Sequence, residues 1–335
     1  MANSNNDKKK VNLIDSYNKN TANKVIRLIQ KNPKGWQQSI ANNPMVSISG
    51  ETPVAYKGVN AISLAITNAD RNNTDNRFMT HRAVEKTDGL AIKQDATALQ
   101  ISYLRTREVE VKGKGEKKAI PMMSVGYVYS ANDITGISPA SKDLTALSAL
   151  SLSQQQLIEK SSIPVVRSDQ KLISEFNVNK NEMQIASSVF DKGGDGLISN
   201  YAALATKAAV EQNYLKDSQD MKDFKSQMSA ALIVQSVGAK LTLKGTVKDV
   251  KNDFSTEFLK DAKSGMSAIR SSAKIANFVA NGKSFERLKK QEKTVEKPKA
   301  DKQEAVKKPM ARKLTAREQL DKQRTNEKET GRASR

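Results

Sequence analysis

The composition of the chain changes at Lys283, and that change limits what can fold. Residues 283–335 hold 18 Lys and Arg against 9 Asp and Glu, with few large apolar side chains. Such a segment buries too little surface to offset the ordering of its backbone. It is expected to be a disordered basic tail or a fraying helix, so the core must be built from residues 1–282. At about 150 residues per domain, 335 residues suggest two domains.

Charge and two residue counts narrow the function. Lys plus Arg number 56 against 36 Asp plus Glu, a net charge of +20, which points to nucleic acid or an anionic membrane face as partner. The sequence has no Cys and one His, His81. Disulfides, thiolate zinc, Fe–S clusters and cysteine nucleophiles are therefore excluded, as is any metal site that needs two imidazoles. The basic N-terminus lacks the apolar core of a secretory signal, and no apolar run approaches the ~18 residues of a membrane span. A cytoplasmic protein without membrane contact is expected.

Residues 1–13 read as disordered and basic. Val25, Ile26, Leu28 and Ile29 then recur at helical spacing behind a Thr21 cap, ending by Asn32-Pro33. Polar loop follows through Trp36 and Pro44, and Val59 to Ile66 reads as a buried helix. Alternation at Leu99, Ile101, Tyr103, Val109 and Val111 leads into Lys112-Gly113-Lys114-Gly115, a hairpin signature, with Val125 to Tyr129 as the returning strand. The fold class expected is α+β, with a first domain over 14–140, a linker over 141–153 and a mostly helical second domain over 154–282. In the last, Phe258, Ala262, Met266, Ile269, Ala273 and Ala276 fall on one helical face.

The run Tyr56-Lys57-Gly58-Val59-Asn60, the element Arg77-Phe78-Met79-Thr80-His81-Arg82-Ala83, then Gly89 and Lys93, and finally Val128 to Ile137, occur in one order and spacing. Together they resemble the N-terminal domain of the ArdC antirestriction proteins and TraC-type plasmid primases. Phe78 stands at that family's Trp and His81 at its Tyr. The resemblance implies an α+β module that binds single-stranded DNA in proteins of conjugative plasmids and related mobile elements.

The resemblance continues into a zincin-like second domain, where the family carries a metallopeptidase helix with H-E-L-G-H. Asn200 to Val210 aligns with that helix, placing Thr206 and Val210 at the histidines, Lys207 at the general base and Gln227 at the third ligand. A zincin needs two imidazoles one turn apart, a third ligand and a Glu to deprotonate bound water. None is present, and Lys207 adds positive charge beside the would-be cation. The resemblance thus implies a pseudo-zincin, no enzyme and no cofactor.

Other signals are weaker. Phe190 to Ser199 looks like a calcium loop, but its positions 3 and 12 are Gly193 and Ala202, so a Gly-rich turn is the better reading. His81 could act as a general base oriented by Asp70, Asp75 or Asp88, although a lone His is more often structural. Gly113-Lys114-Gly115 lacks the spacing of a phosphate loop and reads as a basic hairpin tip.

For DNA, the residues expected to meet phosphates are Arg77, Arg82, Lys93, Arg105 and Arg107, with Lys57 a further DNA-binding candidate. Stacking faces are expected from Trp36, Tyr56, Phe78 and Tyr103, with Gly58 and Asn60 completing the Tyr56 turn. The function expected is sequence-tolerant binding of single-stranded DNA, with conjugation or replication proteins as protein partners. The alternative is an adaptor that binds a partner through the pseudo-zincin domain and is localised by its basic tail.

Overall fold

The computed structural model describes residues 12–42, 44–110, 117–138, 153–242, 247 and 255–283. The expected disorder of residues 1–11, the hairpin tip at 113–115, the linker and nearly all of the basic tail fall outside the described residues.

Helix α1 (Leu13–Lys31) starts earlier than the sequence suggests. Asn12, not Thr21, caps it, its side chain accepting from the Ile14 amide at 3.1 Å. Thr21 is buried in mid-helix on the stripe of Tyr17, Val25, Leu28 and Ile29. The expected polar loop contains a second helix, α2 (Trp36–Ala41), followed by β1 (Val46–Ser47) and β2 (Val54–Ala55). Helix α3 (Gly58–Asp70) is buried from Ala61 to Asn68. Its first residue, Gly58, has φ +60°, the left-handed region where a side chain is costly.

Then come β3 (Arg77–Thr80), α4 (His81–Glu85), β4 (Ala91–Ile92), β5 (Leu99–Glu110), β6 (Lys117–Ser130) and β7 (Ile134–Thr135). The main sheet has the order β2-β1-β3-β6-β5, which makes β5 an edge strand, while β4 and β7 pair separately. The expected hairpin is present and long. Antiparallel pairing runs from Leu99 opposite Val128 to Glu110 opposite Lys117. Phe78, Leu99 and Val128 form a small core with Met45, Leu64 and Ala65.

The later region comprises α5 (Gln154–Glu159), β8 (Val165–Ser168), β9 (Glu175–Asn177), β10 (Glu182–Ala186), α6 (Ser187–Phe190), α7 (Gly194–Asn213), α8 (Gln219–Ser236), α9 (Glu257–Lys260) and α10 (Ala262–Ala280). A three-stranded sheet, β8-β10-β9, precedes α7. The sequence stripe of the last helix holds for Met266, Ile269 and Ala276, which are buried, but the chain breaks at Asp261. Asp261 caps α10 by accepting from the Ser264 amide at 2.7 Å, and hydrogen bonding from the Ser264 side chain and then its amide lowers the Asp261 carboxyl pKa.

The two regions share one hydrophobic core. Ala22, Val25 and Leu28 of α1, Trp36 and Ile40 of α2 and Ile62 of α3 belong to the same buried cluster as Leu204, Phe224, Met228 and Ile269. Trp36 stacks on Phe224 with ring centroids 5.9 Å apart and planes inclined by 16°. Polar ties reinforce the seam: Gln37 bonds Gln227, and Gln235 Nε2 donates to the Ile40 carbonyl at 2.7 Å. The described residues accordingly belong to one compact unit.

Candidate nucleic-acid interface

The solvent side of α1 carries Asn20, Asn23, Lys24 and Arg27, spaced as one helical stripe beside the buried one. These side chains line an open groove together with Thr67 of α3, Arg71 at its C-cap, and Gln100 and Tyr127 from the hairpin. Three cations thus meet amide side chains and an aromatic ring. Tyr127 is 44% exposed and sits opposite Gln100 in the strand register.

Lys24 is the unusual member. Its ammonium donates to Thr67 Oγ1 at 2.7 Å and lies 3.3 Å from Ser63 Oγ. Burial pushes its pKa below the ordinary lysine value; Asp70 opposes that shift, while Arg27 and Arg71 add to it. Arg71 is held by Asp133 at 3.1 Å, leaving part of its guanidinium exposed. An anion laid along the groove would relieve the repulsion among these groups, and an unpaired base could stack on Tyr127.

The residues singled out from the sequence divide into three sets. Trp36 and Phe78 are corrected from stacking faces to core: both are completely buried, so no base can reach them. Tyr56 is half-buried, packed edge-on against Phe78 at 6.1 Å, with its phenol pKa raised by burial. Asn60 is a fastening for the sheet. Its Nδ2 donates to the Ser102 carbonyl at 2.7 Å, while its Oδ1 accepts from the Ser102 amide at 2.8 Å and from Tyr17 Oη at 3.0 Å. Arg77 is partly committed, because its Nη2 donates to Asp75 at 2.7 Å and to the Ser138 carbonyl at 2.8 Å and its Nε also meets Asp75, which takes up part of the fork expected for phosphate.

A second set remains on the surface but apart from the groove. Lys57 is exposed at the N-cap of α3, Arg82 is exposed on α4, and Lys93 reaches the Asn132 carbonyl at 2.7 Å. Tyr103, Arg105 and Arg107 form the third set, exposed on one face of β5. The register puts Gln100 and Tyr127 on the other face. The groove residues Lys24, Arg27, Arg71 and Tyr127 were missed by sequence reasoning. Only the stripe Asn20-Asn23-Lys24-Arg27 could have pointed to them, and placing the cap at Thr21 cut it in two.

His81 stands exposed at the start of α4, with Nδ1 3.2 Å from Glu85, so none of the three aspartates considered is its nearest carboxylate partner. The calcium-like loop does not form one either. Asp191 is bound by Arg167 at 2.7 and 2.8 Å, and α7 has already begun at Gly194.

The zincin-register positions come together between α7 and α8. Lys207, Val210 and Gln227 line one small cleft with Glu211, Lys222 and Asp223. They do not fit a metal. The Thr206 hydroxyl donates into its own helix to the Ala202 carbonyl at 2.8 Å, Val210 is apolar, and Gln227 is pinned by Gln37. Glu211 is paired with Lys222 at 3.2 Å. Among the described residues, no group of three or more His, Asp or Glu is placed to hold an ion.

This is an α+β fold with a basic groove beside α1 and a charged cleft between α7 and α8, and residues 15–129 match the family of the N-terminal domain of anti-restriction factor ArdC. Beyond that segment the similarity is one of fold. The metal-free crystal structure of the antirestriction protein ArdC from the R388 plasmid superposes with a TM-score of 0.58 at 16% identity, covering 80% of this chain and 98% of that one. The Mn(II)-bound form gives 0.56 at 15% identity, covering 79% and 97%. The chain thus has the fold of ArdC over most of its length. No curated protein matches it by sequence. No helix among the described residues is long and apolar enough to cross a membrane.

Proposed function

We propose that this protein binds single-stranded DNA without sequence preference, as a non-catalytic, ArdC-like cytoplasmic protein of a conjugative plasmid or related mobile element. The observation that carries the reading is the convergence of Lys24, Arg27 and Arg71 beside the exposed ring of Tyr127 in one open groove. Phosphates would pass along the cations while unpaired bases stack or meet the amides of Asn20, Asn23 and Gln100. A duplex hides its base faces and gains less from such a surface.

Anisotropy titrations with single- and double-stranded oligonucleotides of equal length test this. Tighter binding of the single strand is expected, with log K falling against log salt by about 0.7 for each phosphate neutralised. Equal or tighter binding of the duplex refutes it. The adaptor reading is favoured by the α7–α8 cleft alone, and it places DNA binding chiefly in residues 283–335. Removing that segment should weaken binding uniformly while the strand preference survives; loss of the preference would favour the adaptor.

A further inference from the structure

The β5–β6 hairpin is longer than its sheet requires. Its inner part is fastened: Asn60 holds the Ser102 edge, and Arg270 Nη2 reaches Met123 Sδ at 3.7 Å and Asn18 at 2.8 Å. From Arg105 to Glu110 and back from Lys117 to Met122 the ladder continues, roughly 20 Å at ~3.3 Å per residue. Arg105 to Glu108 and Ala119 to Pro121 are exposed throughout. An isolated two-stranded ribbon gains little stability in water, so this extension contributes little to the fold.

Its two faces differ in charge. Strand alternation puts Tyr103, Arg105 and Arg107 on one face, opposite Ser124, Met122 and Ile120. Leu104, Thr106 and Glu108 lie on the other. Over these residues the first face carries cations and no carboxylate. Tyr103 lies across Gly126, where a Cβ would come within 3.0 Å of the ring, so the ring is seated on the sheet and is 48% exposed. Ile120, 40% exposed, adds an apolar contact beside Arg107. The groove residue Tyr127 belongs to the opposite face of the same hairpin, so the ribbon and the groove are separate surfaces.

We propose that this projecting ribbon is an arm that grips duplex DNA, and that the protein therefore engages a junction between single- and double-stranded DNA. A two-stranded β-ribbon fits the major groove of B-form DNA, which is about 12 Å wide. Arg105 and Arg107 meet the phosphates on its walls. The arm holds the duplex on one face of the hairpin while the tail of the junction enters the groove on the other. The junction part of this inference rests on the single-strand reading above; the arm itself does not.

The experiment uses the full chain and three fluorescent probes: a single strand, a blunt duplex and a tailed duplex of matched length. Two linked contacts raise affinity through effective concentration, so the tailed duplex should bind at least about tenfold tighter than the single strand. The variant Arg105→Glu/Arg107→Glu should bring the tailed duplex down to the single-strand level and leave the single strand unchanged. Both positions are exposed, so its melting temperature should match the wild type. The variant Lys24→Gln/Arg27→Gln should weaken the single strand and the tailed duplex but spare the blunt duplex. Loss of all three probes in the Arg105/Arg107 variant overturns the arm by placing those residues in the single-strand site. Unchanged duplex binding overturns it by leaving the ribbon to a protein partner. A wild type that binds no single strand refutes the groove reading, while duplex binding lost only in the arm variant would still support the arm.

Discussion

The groove on α1 and the cleft between α7 and α8 both gather charged side chains, and they treat them in opposite ways. In the cleft Lys222 is matched by Glu211, and next to it the buried Lys225 is matched by Asp217 at 2.6 Å and lies over the Tyr214 ring. In the groove Arg71 keeps a carboxylate partner in Asp133 and Asp70 offsets part of the charge, but Lys24 itself leans on two hydroxyls, with Arg27 and Arg71 adding to its positive surroundings. A surface that neutralises itself has little left for a charged ligand. One that gathers like charge into a half-buried site gains when an anion arrives, because the anion removes a repulsion already present.

The largest test of this contrast concerns what lies beneath both surfaces. Trp36 joins the two regions through its stack on Phe224, so Trp36→Ala should cost about 3–5 kcal/mol of stability, read as a lower urea midpoint. Below its melting temperature, the variant should bind single-stranded DNA as the wild type does. A loss of affinity in folded protein would return Trp36 to the binding surface. Next in size is the groove itself. Lys24→Gln/Arg27→Gln should weaken single-strand binding at least about tenfold and flatten the salt slope by about 0.7 for each cation removed. The matched change Glu211→Gln/Lys222→Gln in the cleft should leave affinity unchanged and alter stability by no more than about 1 kcal/mol. If both pairs of changes weakened DNA binding equally, the contrast would be lost.

The difference between the regions also explains what the sequence could disclose. The β5–β6 hairpin was legible because alternation at Leu99, Ile101 and Tyr103 is local, and the Met266–Ile269–Ala276 stripe was legible for the same reason. Lys207, Val210 and Gln227, which the resemblance aligned with metal-site positions, share a cleft, a proximity that sequence spacing alone does not give. The fate of the aromatics was not, because whether Trp36 faces water depends on Phe224, which is far along the chain. Arg77 is a milder case. Its partner Asp75 is two residues away, but only the folded loop shows that the carboxylate and the Ser138 carbonyl take up its Nη2 donors. The groove needed α1 to begin at Asn12; with the cap placed at Thr21, Asn20 fell outside the helix and the polar stripe did not stand out.

A smaller effect follows from Lys24. Its pKa is lowered in the folded protein, chiefly by burial, so the charged form is disfavoured relative to the unfolded chain, where lysine titrates near 10.4. The penalty for holding the charge is present in full below the lowered value. It is relieved as pH rises from there towards the unfolded value, so this group adds stability with alkalinity across that window. Binding has the opposite sign. A phosphate favours the ammonium and raises its pKa again, so single-strand affinity should begin to fall at a pH below the ordinary lysine range. The loss should be a few-fold, and Lys24→Arg should abolish it because guanidinium stays charged. An affinity profile that is flat until ordinary lysines titrate would show that Lys24 does not meet the DNA.

The smallest expected effect belongs to the cleft, where the contrast predicts none. A ligand that binds only the folded state raises its stability by RT ln(1 + [L]/Kd), so even a weak site should shift melting at sufficient concentration. With the Thr206 hydroxyl committed to Ala202, Val210 apolar, Gln227 tied to Gln37 and Glu211 paired with Lys222, Asp223 is the one other carboxylate among the described residues of the cleft wall, and no group of three ligands among them faces zinc, manganese or calcium there. Adding Lys207 to its wall further opposes a cation. Melting should therefore be the same with each ion and with chelator, and elemental analysis after dialysis should find no stoichiometric metal. One tightly held ion per chain would overturn the contrast from the other side, because it would require the paired charges of the cleft to open and the region now assigned to packing to carry a ligand of its own.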